Sequence, residues 1–396
     1  MLNRRSLLQG SALLSLSPVV PGLFLDSAAA ADTSTDQPLL VVIELSGGND
    51  GLNTVIPLAD ENYAKYRDKL RIDAKDVIRL NDSLGLHPAM QAAGELYDSG
   101  RLAIVPGVGY PNPNRSHFRS MAIWHSARLG PEEHNGIGWL GRSIDVNRRA
   151  DLTDPDAVFV GEGTVPSAIV GRRANSVAIG DGFDLQIPAG LSTAANPEPD
   201  DDLHAFVHRA VNSSYAAAQQ FAEATTRQAS DSRGYPDYRL AQQLRSVARM
   251  IRMGIRTRIF YVSQPGYDTH SGQKFQHERL LRQYSRSLLA FLDDMKQSGV
   301  ADRVVVLTFS EFGRRVQENA SAGTDHGTSG PVFVAGEPVH AGVLSRYPSL
   351  ADLDDGDLET TIDFRQVYAS LLTDWLNVEA TGPLGGNFQS FPVVES

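Results

Sequence analysis

The 396-residue sequence contains no cysteine. Disulfides, thiolate metal ligands and cysteine nucleophiles are therefore all excluded. It also has no basic excess: 36 Lys and Arg stand against 47 Asp and Glu, for a net charge of −11. No basic stripe runs along the chain, so a nucleic-acid partner is not expected. Beyond the N-terminal segment, no run approaches the roughly 18 apolar residues needed to span a bilayer, and no stable membrane insertion is expected once that segment is gone. Nor is there an internal repeat. What remains is an ordinary globular composition, 41% hydrophobic and 21% charged, sufficient for a large core.

The N-terminus reads as a targeting segment. Asn3-Arg4-Arg5-Ser6-Leu7-Leu8 precedes an apolar stretch from Ala12 to Leu25, and Ala28 to Ala31 follow before Asp32. A twin-arginine pair, a modest apolar region and a small-residue site predict a Tat export signal over residues 1–31. The expected partner during export is the Tat translocon, and the expected location is periplasmic or secreted. Residues 32–396 are expected to form one domain, with a helical insertion at about 203–255 built from helices near His204–Arg227 and Tyr238–Met253.

The chain is organised around Val304 to Val334. The β-branched run Val304–Thr308 predicts a buried strand, and it opens into Glu311, Arg314 and Arg315; Gly323-Thr324-Asp325-His326-Gly327 then precedes a second apolar run, Pro331–Val334. In open α/β sheets, ligands bind beyond the carboxyl ends of the strands. Glu311 and His326 read either as a loop cap and a surface histidine or as parts of a site.

Three other loops carry comparable groups. Leu39–Leu45 is nearly continuously apolar, as a central parallel strand covered on both faces requires, and it opens into Ser46-Gly47-Gly48-Asn49-Asp50-Gly51-Leu52-Asn53. Asn-Asp-Gly there is either a tight turn or a place where Asp50 and Asn53 reach a ligand. Leu102–Pro106 leads into Gly107-Val108-Gly109-Tyr110-Pro111-Asn112-Pro113-Asn114-Arg115-Ser116-His117-Phe118, whose prolines delay a helix until about Ser116. Ser116 is then a helix cap or a nucleophile in the field of the helix end. Arg258–Val262 is followed by Gly266-Tyr267-Asp268-Thr269-His270-Ser271-Gly272-Gln273 and a helix to about Ser298. This β-α-β arrangement calls for a mostly parallel α/β sheet with helices on both faces.

Carboxylates and imidazoles without thiols suit a divalent cation such as Zn or Mn. The candidate ligands are Asp50, Asp268, His270, Glu311, Asp325 and His326. Asn53, Ser116, Arg115 and Arg314 are candidates for catalysis or for gripping a substrate oxyanion, with Arg315 an alternative to the other arginines. His87, His117, His125 and His277 are candidate proton donors or outer partners, most of them structural.

The motifs GGNDGLNT, GVGYPNPNRSHF, GYDTHSGQ, TFSEFGRR and GTDHG, in that order, resemble the bacterial, commonly Tat-exported domain-of-unknown-function family 1501. That family is itself similar to the alkaline phosphatase/sulfatase-like superfamily. The resemblance covers nearly the whole chain after the signal and implies an alkaline phosphatase-like fold. It implies Asp50, or Glu44 on the strand itself, as a first acidic ligand, Ser116 as nucleophile, and Asp268, His270 and His326 at one metal. Ser310-Glu311 stands where an Asp-His pair is expected, one nitrogen ligand fewer for a second metal, so one or two ions are expected. Without cysteine, and without a small residue or proline two positions after Ser116, a formylglycine-type sulfatase is disfavoured. The function implied is metal-dependent hydrolysis of phosphate or sulfate esters, small-molecule or glycan, with serine or an activated water attacking. The alternative is an exported, non-catalytic binding or assembly protein on the same fold.

Overall fold

The computed structural model describes residues 37–147, 154–180 and 234–395. The expected export signal, the first helix expected in the insertion and the first part of that insertion lie outside the described residues. Its second helix is present as Arg239–Arg252.

Among the described residues, nine strands form the central sheet: β1 (Leu39–Ser46), β2 (Leu102–Gly109), β3 (Ala157–Val160), β4 (Ser176–Ile179), β5 (Ile259–Pro265), β6 (Val304–Phe309), β7 (Gly330–Ala335), β8 (Gly342–Val343) and β9 (Ile362–Asp363). The order is β8-β2-β7-β6-β1-β5-β3-β4, with β9 also paired to β2. Every pairing is parallel except the two made by β7, which runs against both β2 and β6. The fold is thus α/β with a mostly parallel sheet, as the sequence predicts.

β1 is the middle of this sheet because its residues are apolar on both sides. Val41, Ile43 and Leu45 belong to one core cluster and Leu40 and Val42 to the other, as strand alternation requires. Burying each of these side chains contributes about 1.5–3 kcal/mol, so a charge at Val41 or Val42 would break the sheet at its centre. The register is set on both sides, Leu40 facing Ile259 on β5 and Val305 on β6. Helices cover both faces. On one lie α1 (Gln91–Asp98), α4 (Arg239–Arg252) and α5 (Gln273–Gln297); on the other lie α2 (His117–Ser126), α3 (Trp139–Asn147) and α6 (Phe364–Ser370). In α5, Leu281, Tyr284, Leu288, Phe291 and Met295 recur every three or four residues and are fully buried. The helix stops where Gly299 takes φ 70°.

The parallel arrangement sends the loops after β1, β2, β5 and β6 to one rim. The reversal of β7 adds a fifth approach: the loop 310–329 leaves β6 and returns antiparallel, so both of its ends lie on that rim.

Candidate metal centre

Three of the rim loops deliver the parts of a compact cluster. His117 is the first residue of α2 after β2, Asp268 and His270 follow β5, and His326 lies in the loop between β6 and β7. Loop closure depends on glycines that let backbones touch. Gly47 has φ 118°, and a Cβ there would meet the amide nitrogen of Asp268 at 2.5 Å; at Gly323 a Cβ would meet the carbonyl carbon of His270 at 2.2 Å. No side chain fits either approach.

Asp268 Oδ1 is the centre of the cluster. It lies 3.0 Å from His270 Nε2, 3.1 Å from His326 Nε2 and 3.4 Å from His117 Nε2. The Nε2 atoms of His270 and His326 are 2.9 Å apart. Ligand atoms of His117, Asp268 and His326 all fall within 4.8 Å of one another, and His270 joins this group through Asp268 and His326.

The other nitrogen of each ring is already engaged. His117 Nδ1 meets Glu311 Oε1 at 2.7 Å, His326 Nδ1 meets the carbonyl of Arg115 at 2.8 Å, and His270 Nδ1 meets Asp325 Oδ1 at 3.1 Å. Carbonyl and carboxylate oxygens accept only, so Nδ1 carries the proton in each ring and Nε2 presents a lone pair. His117 Nε2 is buried and has no hydrogen-bond partner. Lone pairs and a carboxylate facing one another repel unless a proton or a metal ion sits among them.

The residues fit a metal. Tetrahedral zinc with bonds of 2.0–2.1 Å spaces its ligand atoms by about 3.3 Å, close to the distances from Asp268 to the three imidazoles and between His270 and His326. Histidine ligands held through Nδ1 by a carboxylate or carbonyl are the usual outer arrangement of such sites. Burial opposes the ionised form of Asp268, but the hydrogen bond from Arg314 and the His326 ring beside it hold its pKa down at about 2. The hydrogen bond to Glu311 raises that of His117.

The expected site residues divide. Asp268, His270 and His326 come together. Glu311 and Asp325, expected as ligands, stand behind His117 and His270 and orient them. Glu311 is buried, and it also accepts from the amide of Gly47 at 2.9 Å. Asp50 stands apart from this cluster: it is fully buried in an ion pair with Arg67 at 2.5 Å and accepts from Gln273. The pair forms because the chain turns back through the helix Glu61–Tyr66. Burial raises the pKa of Asp50, but the Arg67 charge and hydrogen bond outweigh it and the net shift is downward. Glu44, the alternative first acid, is turned to His125 and the Tyr261 hydroxyl.

Asn53 is also structural, donating to the carbonyl of Leu70 and accepting from the Tyr63 hydroxyl. The arginines bond to groups of the protein itself. Arg314 is buried, with its guanidinium on the carbonyls of Gly47, Gly48, Tyr267 and Thr324 and on Asp268. It ties three rim loops together. Arg115 holds Asp355 and Asp357, and Arg315 reaches the same two residues.

Ser116 is exposed at the N-cap position of α2, and its side chain makes no capping bond. It lies between Arg115, whose carbonyl orients His326, and the ring of His117. His117 is the residue that sequence reasoning placed among the mostly structural histidines. The available signal was its place beside Ser116 at the start of a helix on the same rim.

The sequence profile described as "Protein of unknown function (DUF1501)" matches residues 37–374. None of the curated proteins matches this chain in sequence. Among solved structures, the chain is similar to Ps i-CgsB at 9% identity and TM-score 0.44, covering 89% of this chain and 75% of that one. It is similar to the zinc complex of the C-terminal periplasmic domain of EcEptC from Escherichia coli at 8% identity and TM-score 0.42, covering 91% and 92%. A protein in the alkaline phosphatase superfamily from Vibrio parahaemolyticus is similar at 11% identity and TM-score 0.38, covering 89% and 69%.

Proposed function

The chain belongs to the DUF1501 family, and we propose that it is a metal-dependent hydrolase of phosphate or sulfate esters that works after export to the periplasm or beyond. The observation that carries the reading is the convergence of three imidazole Nε2 atoms on Asp268, with every Nδ1 already bonded to an oxygen. His117, His270, His326 and Asp268 would hold one divalent ion, zinc or manganese. Such an ion supplies Lewis acidity to an ester oxygen and lowers the pKa of a hydroxyl or water beside it.

The chain's own residues do the rest. Glu311 and the carbonyl of Arg115 fix ring orientation, and Arg314 keeps Asp268 ionised and in place. Ser116, one residue before His117 and without a capping bond, is assigned the attack on phosphorus or sulfur: its oxygen bonds that atom as the ester's alcohol leaves, and water then breaks the serine ester to release phosphate or sulfate. The half-exposed faces of Asp268 and His270 leave the centre open to an incoming ester. A small-molecule or glycan ester is the expected substrate. Among the described residues no helix is long and apolar enough to cross a membrane.

One observation favours a second reading, an exported binding or assembly protein that keeps the metal without turnover: Arg115, Arg314 and Arg315 are all committed to the protein itself. The deciding experiment is hydrolysis of p-nitrophenyl phosphate and p-nitrophenyl sulfate by the zinc-loaded and manganese-loaded protein, with and without chelator. Chelator-sensitive turnover supports the hydrolase. A stoichiometric metal complex that turns over neither ester supports the binding protein.

A further inference from the structure

A second set of reactive side chains lies apart from the metal centre and has no part in the mechanism above. Ser167 Oγ lies 3.1 Å from His125 Nδ1, and His125 Nε2 lies 3.0 Å from Glu44 Oε2. The Tyr261 hydroxyl donates to the same oxygen of Glu44 and stands 3.0 Å from His125 Nε2. His125 follows His117 by eight residues in α2, about 12 Å along the axis of a helix. Hydroxyl, imidazole and carboxylate therefore form one hydrogen-bonded line well away from the metal ligands.

The fold sets the order of this line. Glu44 and Tyr261 stand on the adjacent strands β1 and β5, and Glu44 shares the face of Leu40 and Val42, the one that α2 covers. Ser167 opens the short turn Ser167–Ile169, which is anchored by the buried Ala168 and Ile169 while Ser167 itself is half-buried. The side chains of His125 and Glu44 are only 11% and 10% exposed. The hydroxyl is thus outermost and the carboxylate innermost. Burial opposes the ionised form of Glu44, but the His125 ring and the Tyr261 hydroxyl outweigh it and the net shift is downward. A carboxylate only accepts, so His125 carries its proton on Nε2 and turns the lone pair of Nδ1 to the Ser167 hydroxyl.

We infer that Ser167 is a nucleophile, with His125 as its general base and Glu44 as the residue that positions His125, and that this set hydrolyses uncharged carboxylic esters. A hydroxyl, an imidazole and a buried carboxylate in this sequence of contacts are the working parts of acyl transfer. The set carries one negative charge, on Glu44, and no cation is among its hydrogen-bond partners, which favours a neutral carbonyl over an anionic phosphate or sulfate. Ser167 Oγ bonds the acyl carbon while its proton passes to His125 Nδ1, and that proton leaves with the alcohol as the ester bond breaks. Water then attacks the acyl-serine, gives one proton through His125 back to Oγ, and the carboxylic acid departs. The inference is independent of the metal-centre reading.

Three measurements on the zinc-loaded protein test it. A fluorophosphonate probe, located by peptide mass mapping, is expected to modify Ser167. Ser167→Ala is expected to lower hydrolysis of p-nitrophenyl butyrate by about 100-fold or more with an unchanged melting temperature. Because the chain has no cysteine, Ser167→Cys places a single thiol at the same point and reads the base without removing any buried group. Its alkylation by iodoacetamide is expected to have a midpoint below about pH 7.5, against about 8.5 for an unassisted thiol. Adding His125→Gln or Glu44→Gln to that variant is expected to return the midpoint to about 8.5 or above, a shift that a merely structural role for either residue would not produce. A Ser167 left unmodified by the probe, or an ordinary midpoint in Ser167→Cys, overturns the nucleophile. Butyrate ester hydrolysis that is absent in wild type or survives in Ser167→Ala overturns the hydrolysis.

Discussion

His117 Nδ1 lies 2.7 Å from Glu311 Oε1, and this contact turns the other nitrogen of the ring toward Asp268 and His326. Glu311 is 1% exposed and is anchored in turn by the amide of Gly47 and the hydroxyl of Ser310. A carboxylate buried this firmly behind an imidazole orients it and raises its basicity as a ligand.

Replacing Glu311 by Gln keeps the shape and removes the charge. Zinc affinity is expected to fall by about 10–100-fold while the stoichiometry at saturating zinc stays the same. Competition with a chromophoric chelator measures both quantities, and an unchanged affinity would remove Glu311 from the centre.

Asp50 makes the opposite prediction. In Asp50→Ala, Arg67 is left as a buried charge without its partner, which costs about 3–5 kcal/mol of stability. Urea denaturation of the zinc-free protein measures the loss. The folded fraction is expected to take up zinc with the wild-type affinity, because Asp50 is not among the ligands.

Sequence and structure agree most closely where one pattern admits one geometry. The unbroken apolar run of β1 demands a strand covered on both sides, and the three-and-four spacing in α5 demands a helix with one buried stripe. The rule that ligands gather at parallel strand ends brought Asp268, His270 and His326 to one rim. The direction of β7 was not legible, since Val332–Val334 reads the same running either way. Nor was the exchange of roles between His117 and Glu311. Both are able to ligate a metal, and which stands in front depends on the angle at which α2 leaves its loop. Asp50 was misread for a related reason: its partner Arg67 becomes a neighbour only when the helix Glu61–Tyr66 folds back.

Two buried histidines make stability fall on acidification. Burial lowers the pKa of His87 to about 4 and that of His277 to about 3, against about 6.5 in an unfolded chain. The unfolded state therefore binds more protons, and both histidines oppose folding as pH falls. Their contribution is fully retained above about pH 6.5 and is lost below it, by about 1.4 kcal/mol per pH unit for each histidine until its folded pKa is reached. Urea midpoints measured between pH 7.5 and 5 are expected to fall on acidification, and His87→Gln is expected to flatten the slope.

Ser116→Ala separates attack by serine from attack by water. Zinc content is expected to be unchanged and hydrolysis of p-nitrophenyl phosphate to fall by on the order of 100-fold or more. Full activity in this variant would assign the attack to water.

The central claim is that His117, Asp268, His270 and His326 grip one divalent ion. The most direct test is metal content by mass spectrometry after zinc loading and exhaustive dialysis, in wild type and in His117→Ala and His326→Ala. About one zinc per chain in wild type and little in either variant is the predicted result. A wild-type protein that retains no zinc, or variants that retain as much as wild type, would contradict it.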